Sequence, residues 1–367
     1  MIKAREIDKL LIIATLLLLA AGFVMIYSTT YIMAIKRYGN EYLFVSKHLV
    51  SLVIAFTIFY ITTRISYHTY KGLVYPLLII STVLLILVLI PGIGYMAGGA
   101  RRWLKIGNWT FQPSELAKLS IIIYLAYSLS TKNEKIKTFK IGFLPHIIIP
   151  GIILSLIYFE KDFGGMLSLG AIVLAMMIIA GVRIRYIAAL LPIFVLIIYY
   201  IILKKGYIVD RIMVFIDPWK DFHGDGWQII QSFLAFGVGG IWGVGLGEGK
   251  QKLFYLPEAH TDFIFSVIGE ELGLIGVGIV ISLYILFLIS GIKISLIASD
   301  LYGTYLAIGV TLLVSLQAVV NMAVVTGLLP TKGLVLPFIS YGGSSLVINM
   351  IGVGILLNIY KKSQESV

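Results

Sequence analysis

Three polar residues, Glu258, His260 and Asp262, stand together just before a predicted helix that starts near Phe263. The chain on either side is largely apolar, and acidic groups at the mouth of an intramembrane helix are costly unless they face a polar cavity. Carboxyl and imidazole groups are also the side chains that most often transfer protons in catalysis. The alternative is a solvated loop in which Asp262 only caps the helix. Both interpretations remain open at this point.

The composition predicts an all-α integral membrane protein. Of the 367 residues, 59% are hydrophobic and only 13% are charged. A soluble protein of this length could not bury so much apolar surface in one core. The nearly uncharged runs 10–25 and 77–90 favour membrane-spanning helices. The net charge of +11 predicts attraction to anionic lipid head groups or a phosphorylated lipid substrate, and we expect no nucleic-acid partner.

Metal centres and nucleotide loops find little support. The chain has no cysteine, and its five histidines are scattered without the spacing of a zinc site. The segment 237–249 is rich in glycine, but a Walker A loop would need glycine where Val244 stands and Ser or Thr where Gln251 stands. These glycines instead predict close packing of backbone against helices or lipid.

Apolar runs predict about ten spans in a single polytopic domain covering residues 1–367. A long extracytoplasmic loop, 204–262, separates spans seven and eight. The loop 132–140 carries four lysines and one acidic residue, which places it, and with it both termini, in the cytoplasm. The predicted spans are 10–30, 45–62, 72–90, 114–130, 142–159, 165–181, 184–203, 263–290, 301–326 and 343–360.

Basic residues on the outer side need a reason other than topology. Arg101 and Arg102 stand beside tryptophans in a glycine-broken segment that we expect to lie in the membrane interface. Lys118 lies one turn inside the fourth span and three residues after Glu115, so it either neutralises that carboxylate or faces a cavity. We expect Asp162, between spans five and six, to pair with Lys118.

The last outer loop, 326–346, contains two prolines, four glycines, Lys332 and several hydroxyl groups. Non-helical backbone at membrane depth is tolerated only where it lines a cavity or is buried in protein. This loop is therefore expected to line a cavity.

Three stretches resemble, in content and in order, the motifs of the SEDS family (shape, elongation, division and sporulation). They are GARRWLKIG with FQPSELAK, LFYLPEAHTDFIFSVIGEELG, and GLLPTKGLVLPFISYGGSS. The sequences PTKG and PEAHTDF are more similar to the division branch than to the elongation branch. One departure is Lys161, which stands where family members usually have proline.

The resemblance implies an inverting glycosyltransferase that polymerises lipid II into glycan strands at the outer face of the bacterial plasma membrane, with undecaprenyl pyrophosphate as leaving group. The family's catalytic aspartate corresponds to Asp262. Pyrophosphate needs no acid catalyst, so one carboxylate suffices as general base. The remaining expected site residues would bind substrate: Arg101, Arg102, Lys118, Asp162, Lys252, His260 and Lys332.

The resemblance also implies partners: a class B penicillin-binding protein that crosslinks the product, and other proteins of the division or elongation machinery. A divalent cation, Mg²⁺ or Mn²⁺, would help to neutralise pyrophosphate. Three alternatives remain: an elongation-type polymerase, a lipid II flippase and a division scaffold without enzymatic activity.

Overall fold

The computed structural model describes residues 6–365 except 98, 108, 191, 193–212, 223, 225, 254 and 332. Helices dominate it, as predicted. They are α1 Ile7–Tyr38, α2 Leu43–Arg64, α3 Thr69–Leu89, α4 Pro113–Thr131, α5 Leu144–Phe159, α6 Phe163–Ile179, α7 Ile184–Ala188, α8 Trp227–Gly239, α9 Ile264–Ile297, α10 Leu301–Val325 and α11 Gly343–Glu365.

Within the described ranges, seven helices are long and apolar enough to cross a membrane: α1, α2, α3, α9, α10, α11, and α5 together with the π-helical turn Phe139–Phe143 before it. Helix α6 is apolar but has 17 residues, and α4 carries Glu115 and Lys118. Every predicted span except 184–203 thus coincides with a described helix, which confirms an all-α membrane protein. The predicted span 184–203 begins with α7 and otherwise lies almost entirely outside the described residues.

The segment after α3 forms a small antiparallel sheet that the sequence analysis did not predict. Its strands are β1 Gly94–Ala97, β2 Ala100–Ile106 and β3 Trp109–Phe111, in the order β1-β2-β3. Gly99, in the turn between β1 and β2, has φ 73, which a glycine adopts without steric cost. Strand pairing provides hydrogen-bond partners for the backbone N–H and C=O groups of this segment. From its tryptophans, the segment was predicted only to lie in the membrane interface.

The helices pack around α10 and α11. The most apolar stretch of α11 is 72% buried inside the protein, against 11% for α2, so α11 is central and α2 peripheral. At one end of the bundle, Tyr67 binds the side chains of Asn358 (2.8 Å) and Asp300 (2.9 Å) and so joins three helix ends. The sheet, the α5–α6 turn and the segments before α9 and α11 lie at the other end, called the outer end below.

The orientation of the bundle can be tested directly because the chain has no cysteine of its own. A cysteine in place of Tyr255, which is exposed at the outer end, should react with a membrane-impermeant reagent in intact cells. A cysteine in place of Lys135, at the opposite end, should react only after the cells are opened. The reverse pattern would contradict the predicted cytoplasmic termini.

Candidate active site

A cavity of about 550 Å³ opens at the outer end of the bundle. Its walls come from the start of α2, the small sheet, the segment before α9, the loop before α11 and the first turn of α11. The expectation that the last outer loop lines a cavity is therefore confirmed. The polar and aromatic side chains in the lining include Lys47, Ser51, Arg102, Trp103, Trp109, Gln112, Glu258, His260, Thr261, Asp262, Tyr341, Ser344 and Ser345.

Neighbouring side chains hold Asp262 through its backbone, so its carboxyl group is free to face the cavity. Asn321 of α10 donates a hydrogen bond to the Asp262 carbonyl (2.8 Å), and Ser340 donates to the carbonyl of Thr261 (2.5 Å). Glu258 begins this turn with a left-handed backbone, φ 55, and its carbonyl accepts from the amide of Phe263. The chain thereby ends its loop and enters α9 with Asp262 directed at the cavity.

The surroundings of Asp262 favour its protonated form more than water would. The pKa of Asp262 is raised to about 7; burial is the largest cause, and the charge of Glu258 acts in the same direction. Arg102 opposes this by lowering the pKa, while the charge of Asp162 raises it. A carboxyl group with a pKa near neutrality is well suited to general base catalysis at physiological pH.

Arg102 lies beside Asp262 because the sheet and the α5–α6 turn hold it there. One guanidinium nitrogen, Nη2, donates to the carbonyl of Lys161 (2.6 Å). A Cβ atom on Gly333 would lie 2.9 Å from Asp262 Oδ2 and 3.6 Å from Arg102 Nη1, so the two charged groups approach each other over this glycine. The arrangement places a candidate base and a cation that can bind an anion in the same cavity.

The α5–α6 turn explains the departure at Lys161. Its backbone has φ 62, a value that the proline ring excludes. In this conformation its carbonyl meets Arg102 and its Nζ donates to the carbonyl of Gly99 (3.2 Å). Asp162 caps α6 by accepting from the amide of Gly165 (2.9 Å). Asp162 does not line the cavity and acts on it only through its charge.

Glu160 in the same turn is buried, and neither carboxyl oxygen has a hydrogen-bond partner among the described residues. Burial raises its pKa to about 9, so this group is neutral near pH 7. It therefore adds no negative charge to the site.

The predicted pair between Lys118 and Asp162 is wrong. Lys118 is only 2% exposed, and its Nζ donates to Glu115 Oε1 (2.8 Å) and to Gln317 Oε1 (3.3 Å). Gln317 in turn donates to the carbonyl of Val335 in the cavity wall (3.0 Å). Lys118 is neutralised by its neighbour one turn away and supports the cavity wall through Gln317.

Two of the other basic residues that were expected to bind substrate lie outside the cavity. Lys252 is buried in an ion pair with Glu271 (2.5 Å), outside the cavity. Arg101 does not line the cavity, although its neighbour Arg102 does. Lys332 lies outside the described residues. Lys252 and Arg101, both expected to bind substrate, therefore lie outside the cavity lining, and their contact with a substrate stays a prediction.

His260 lines the cavity as expected, and its ring packs edge-on against Phe44 at 5.8 Å. Burial lowers its pKa, so it is neutral near pH 7. Lys47, near the start of α2, is a cavity cation that was not among the predicted site residues. The rule applied to Lys118, that a lysine inside a span faces a partner or a cavity, would have identified it.

The comparisons with known proteins agree with this fold. A probable peptidoglycan glycosyltransferase FtsW from Geobacter sulfurreducens is 46% identical over 352 residues, which cover 96% of this chain and 94% of the relative. The structure of the rod shape determining protein RodA from Thermus thermophilus matches with 26% identity and a TM-score of 0.68, covering 96% of both chains.

A chain from a structure of a peptidoglycan synthase complex, described as coordinating polymerization and crosslinking, matches with 28% identity and a TM-score of 0.80. It covers 96% of this chain and 97% of its own. The cell cycle protein family that comprises FtsW, RodA and SpoVE matches residues 8–365. This chain therefore belongs to that family, the SEDS family indicated by its motifs.

Proposed function

We propose that this protein is a peptidoglycan glycosyltransferase that polymerises lipid II into glycan strands for septal wall synthesis. The observation that carries the proposal is that the carboxylate Asp262 and the cation Arg102 lie near each other in a cavity at the outer end of a membrane bundle. The similarity to relatives named FtsW supports a role in division rather than elongation.

Asp262 is the general base in this proposal. It takes a proton from the hydroxyl group of the acceptor sugar while that oxygen attacks the anomeric carbon of the donor, and the bond to pyrophosphate breaks with inversion. A positioned base contributes roughly 10²–10⁴-fold in rate. Undecaprenyl pyrophosphate leaves as an anion, so no second carboxyl group has to protonate it. This agrees with the neutral Glu160 and the capping Asp162 standing outside the cavity lining.

Arg102 and Lys47 stabilise the pyrophosphate in the proposed reaction. Both line the cavity, and developing negative charge is stabilised most effectively by groups that are already oriented. The first turn of α11 adds the partial positive charge of a helix N-terminus to the same cavity. In this proposal His260 and Glu258, which line the cavity, bind sugar hydroxyl groups. Lys332, from the loop that lines the cavity, remains a proposed substrate ligand.

A resident metal centre does not fit the described residues, because they contain no group of three or more His, Asp or Glu side chains that could hold a metal ion. We propose instead that Mg²⁺ or Mn²⁺ enters as a complex with the substrate pyrophosphate. Mg²⁺ commonly keeps several water ligands and binds through substrate phosphates.

The proposed location is the bacterial plasma membrane, with both termini cytoplasmic and the cavity outside. Lipid II and the lipid-linked glycan strand are the proposed substrates. A class B penicillin-binding protein is the proposed partner, together with other division proteins. The similarity to a chain of a peptidoglycan synthase complex supports an assembly of this kind.

The direct test is glycan strand formation from lipid II by the purified protein. Asp262→Asn keeps the side-chain shape and removes the base, so it should fold and bind lipid II yet polymerise at least ~10²-fold more slowly. Asp262→Glu moves the carboxylate by one methylene and should also lose most activity, since a displacement of about 1 Å can cost ~10²-fold. Polymerisation by Asp262→Asn near the wild-type rate would reopen the flippase and scaffold alternatives.

A second test uses two glycines of the same cavity. Gly333→Ala would place a methyl group 2.9 Å from Asp262 Oδ2, so the carboxylate must move and polymerisation should fall about tenfold or more. Gly342→Ala is the matched control, because its methyl group would have its nearest neighbour at 3.6 Å and meet only ordinary contacts. Equal rates in the two variants would show that the position of Asp262 is not limiting.

A further inference from the structure

Helix α9 consists of two helical segments joined at Gly273, whose backbone has φ 64 and ψ −164. By helical rise the second segment, 274–297, is about 36 Å long, which suffices to span a bilayer. The first segment, 264–272, therefore does not have to span. It begins two residues after Asp262, so its orientation determines where that side chain points.

The break at Gly273 is stabilised by the glycine-rich loop after α8, which forms hydrogen bonds with the backbone on both sides of the kink. Val244 N donates to the carbonyl of Glu270 (3.0 Å), and Leu274 N donates to the carbonyl of Gly240 (2.9 Å). Backbone groups that the kink releases from the helix thus find partners in the loop. This close approach explains why the loop is rich in glycine.

Side-chain contacts also fix the helix close to this kink. Glu271 Oε1 accepts from Lys252 Nζ (2.5 Å) and from Ser28 Oγ of α1 (2.7 Å), and Glu271 Oε2 accepts from Gly247 N (3.1 Å). Lys252 also donates to the carbonyl of Gly247 (2.7 Å). The side chains of Lys252 and Glu271 are 3% and 0% exposed. A buried polar network with every member bonded is rigid, and this one joins α1, the loop and α9.

The first segment of α9 is thus held at two ends. Near Asp262, the carbonyl bond from Asn321 and the contact of Ser266 with Ser232 (2.6 Å) fix it to its neighbours. At the far end the network around Glu271 fixes it, about 14 Å away by helical rise. A tilt of roughly 5° over this length moves the near end by about 1 Å, enough to slow a reaction about 10²-fold.

We propose that the buried Lys252–Glu271 pair is a positioning latch that holds the first segment of α9, and with it Asp262, in the orientation that the reaction requires. The proposal rests on the function proposed above. Lys252 and Glu271 are positioning residues, since neither lines the cavity. Their effect on the reaction passes through the helix.

The test uses the purified double variant Lys252→Met/Glu271→Leu. Replacing both partners of a buried ion pair by apolar side chains of similar volume is often tolerated, whereas removing one partner strands a buried charge. The double variant should polymerise lipid II with a kcat at least about tenfold lower, while KM and the thermal unfolding midpoint stay near the wild-type values. Amide hydrogen exchange should become faster in 264–272 and stay unchanged in 274–297.

The matched control is Lys71→Met, which removes the lysine of an ion pair with Asp300 (3.2 Å) at the opposite end of the bundle. It should leave kcat and the exchange of 264–272 unchanged. A wild-type kcat in the double variant would overturn the latch, and so would faster exchange throughout the protein. Activity in Asp262→Asn would overturn the proposed function instead, so the two failures are distinguishable.

Discussion

The structure depends on keeping a carboxyl group, Asp262, inside a cavity that must also admit an anionic substrate. Burial disfavours the charged form of an acid, and the neighbouring Glu258 adds to this effect. Arg102 counteracts both, and it does so because the carbonyl of Lys161 anchors its guanidinium group. The left-handed backbone of Lys161, the small sheet and the α5–α6 turn can all be understood as parts of this charge balance.

The same constraint shapes the backbone around the cavity. Segments at the outer ends of the helices must be non-helical to surround a substrate, and their polar groups then need partners other than water. Side chains provide these partners. Asn321 binds the carbonyls of Asp262 and Leu334, and Ser340 binds the carbonyl of Thr261. A side chain of the central helix α10 thereby fixes the loops that contain the site residues.

The sequence predicted the features that depend on local patterns. Apolar runs of sufficient length located the spans, and the prolines, glycines and hydroxyl groups of 326–346 indicated a cavity wall. The alternation of Arg101 and Arg102 with tryptophans did not predict a sheet, because its strands are short and follow directly from a membrane helix. Lys118 was assigned a distant partner although its neighbour Glu115 neutralises it.

Contacts between distant parts of the chain could not be predicted. Lys252 meets Glu271 and Ser28 only because the glycine-rich loop folds back onto the broken helix α9, and no local pattern indicates that return. For Lys47, in an apolar stretch of α2, the rule for lysines inside spans predicts a partner or a cavity, and the assembled bundle shows that it is the cavity. The family motifs identified Asp262, but its chemical environment required the fold.

The most direct test of this charge balance is the pH dependence of kcat/KM for lipid II polymerisation, which reports the pKa of the free enzyme's base. Asp262 must be ionised to act, so activity should fall below about pH 7, where burial has placed its pKa. Glu258→Gln removes a charge that raises this pKa and should move the acid limb to lower pH. Arg102→Gln removes a charge that lowers it and should move the limb to higher pH. Limbs that stay in place, or that move in the same direction in both variants, would contradict Asp262 as the base.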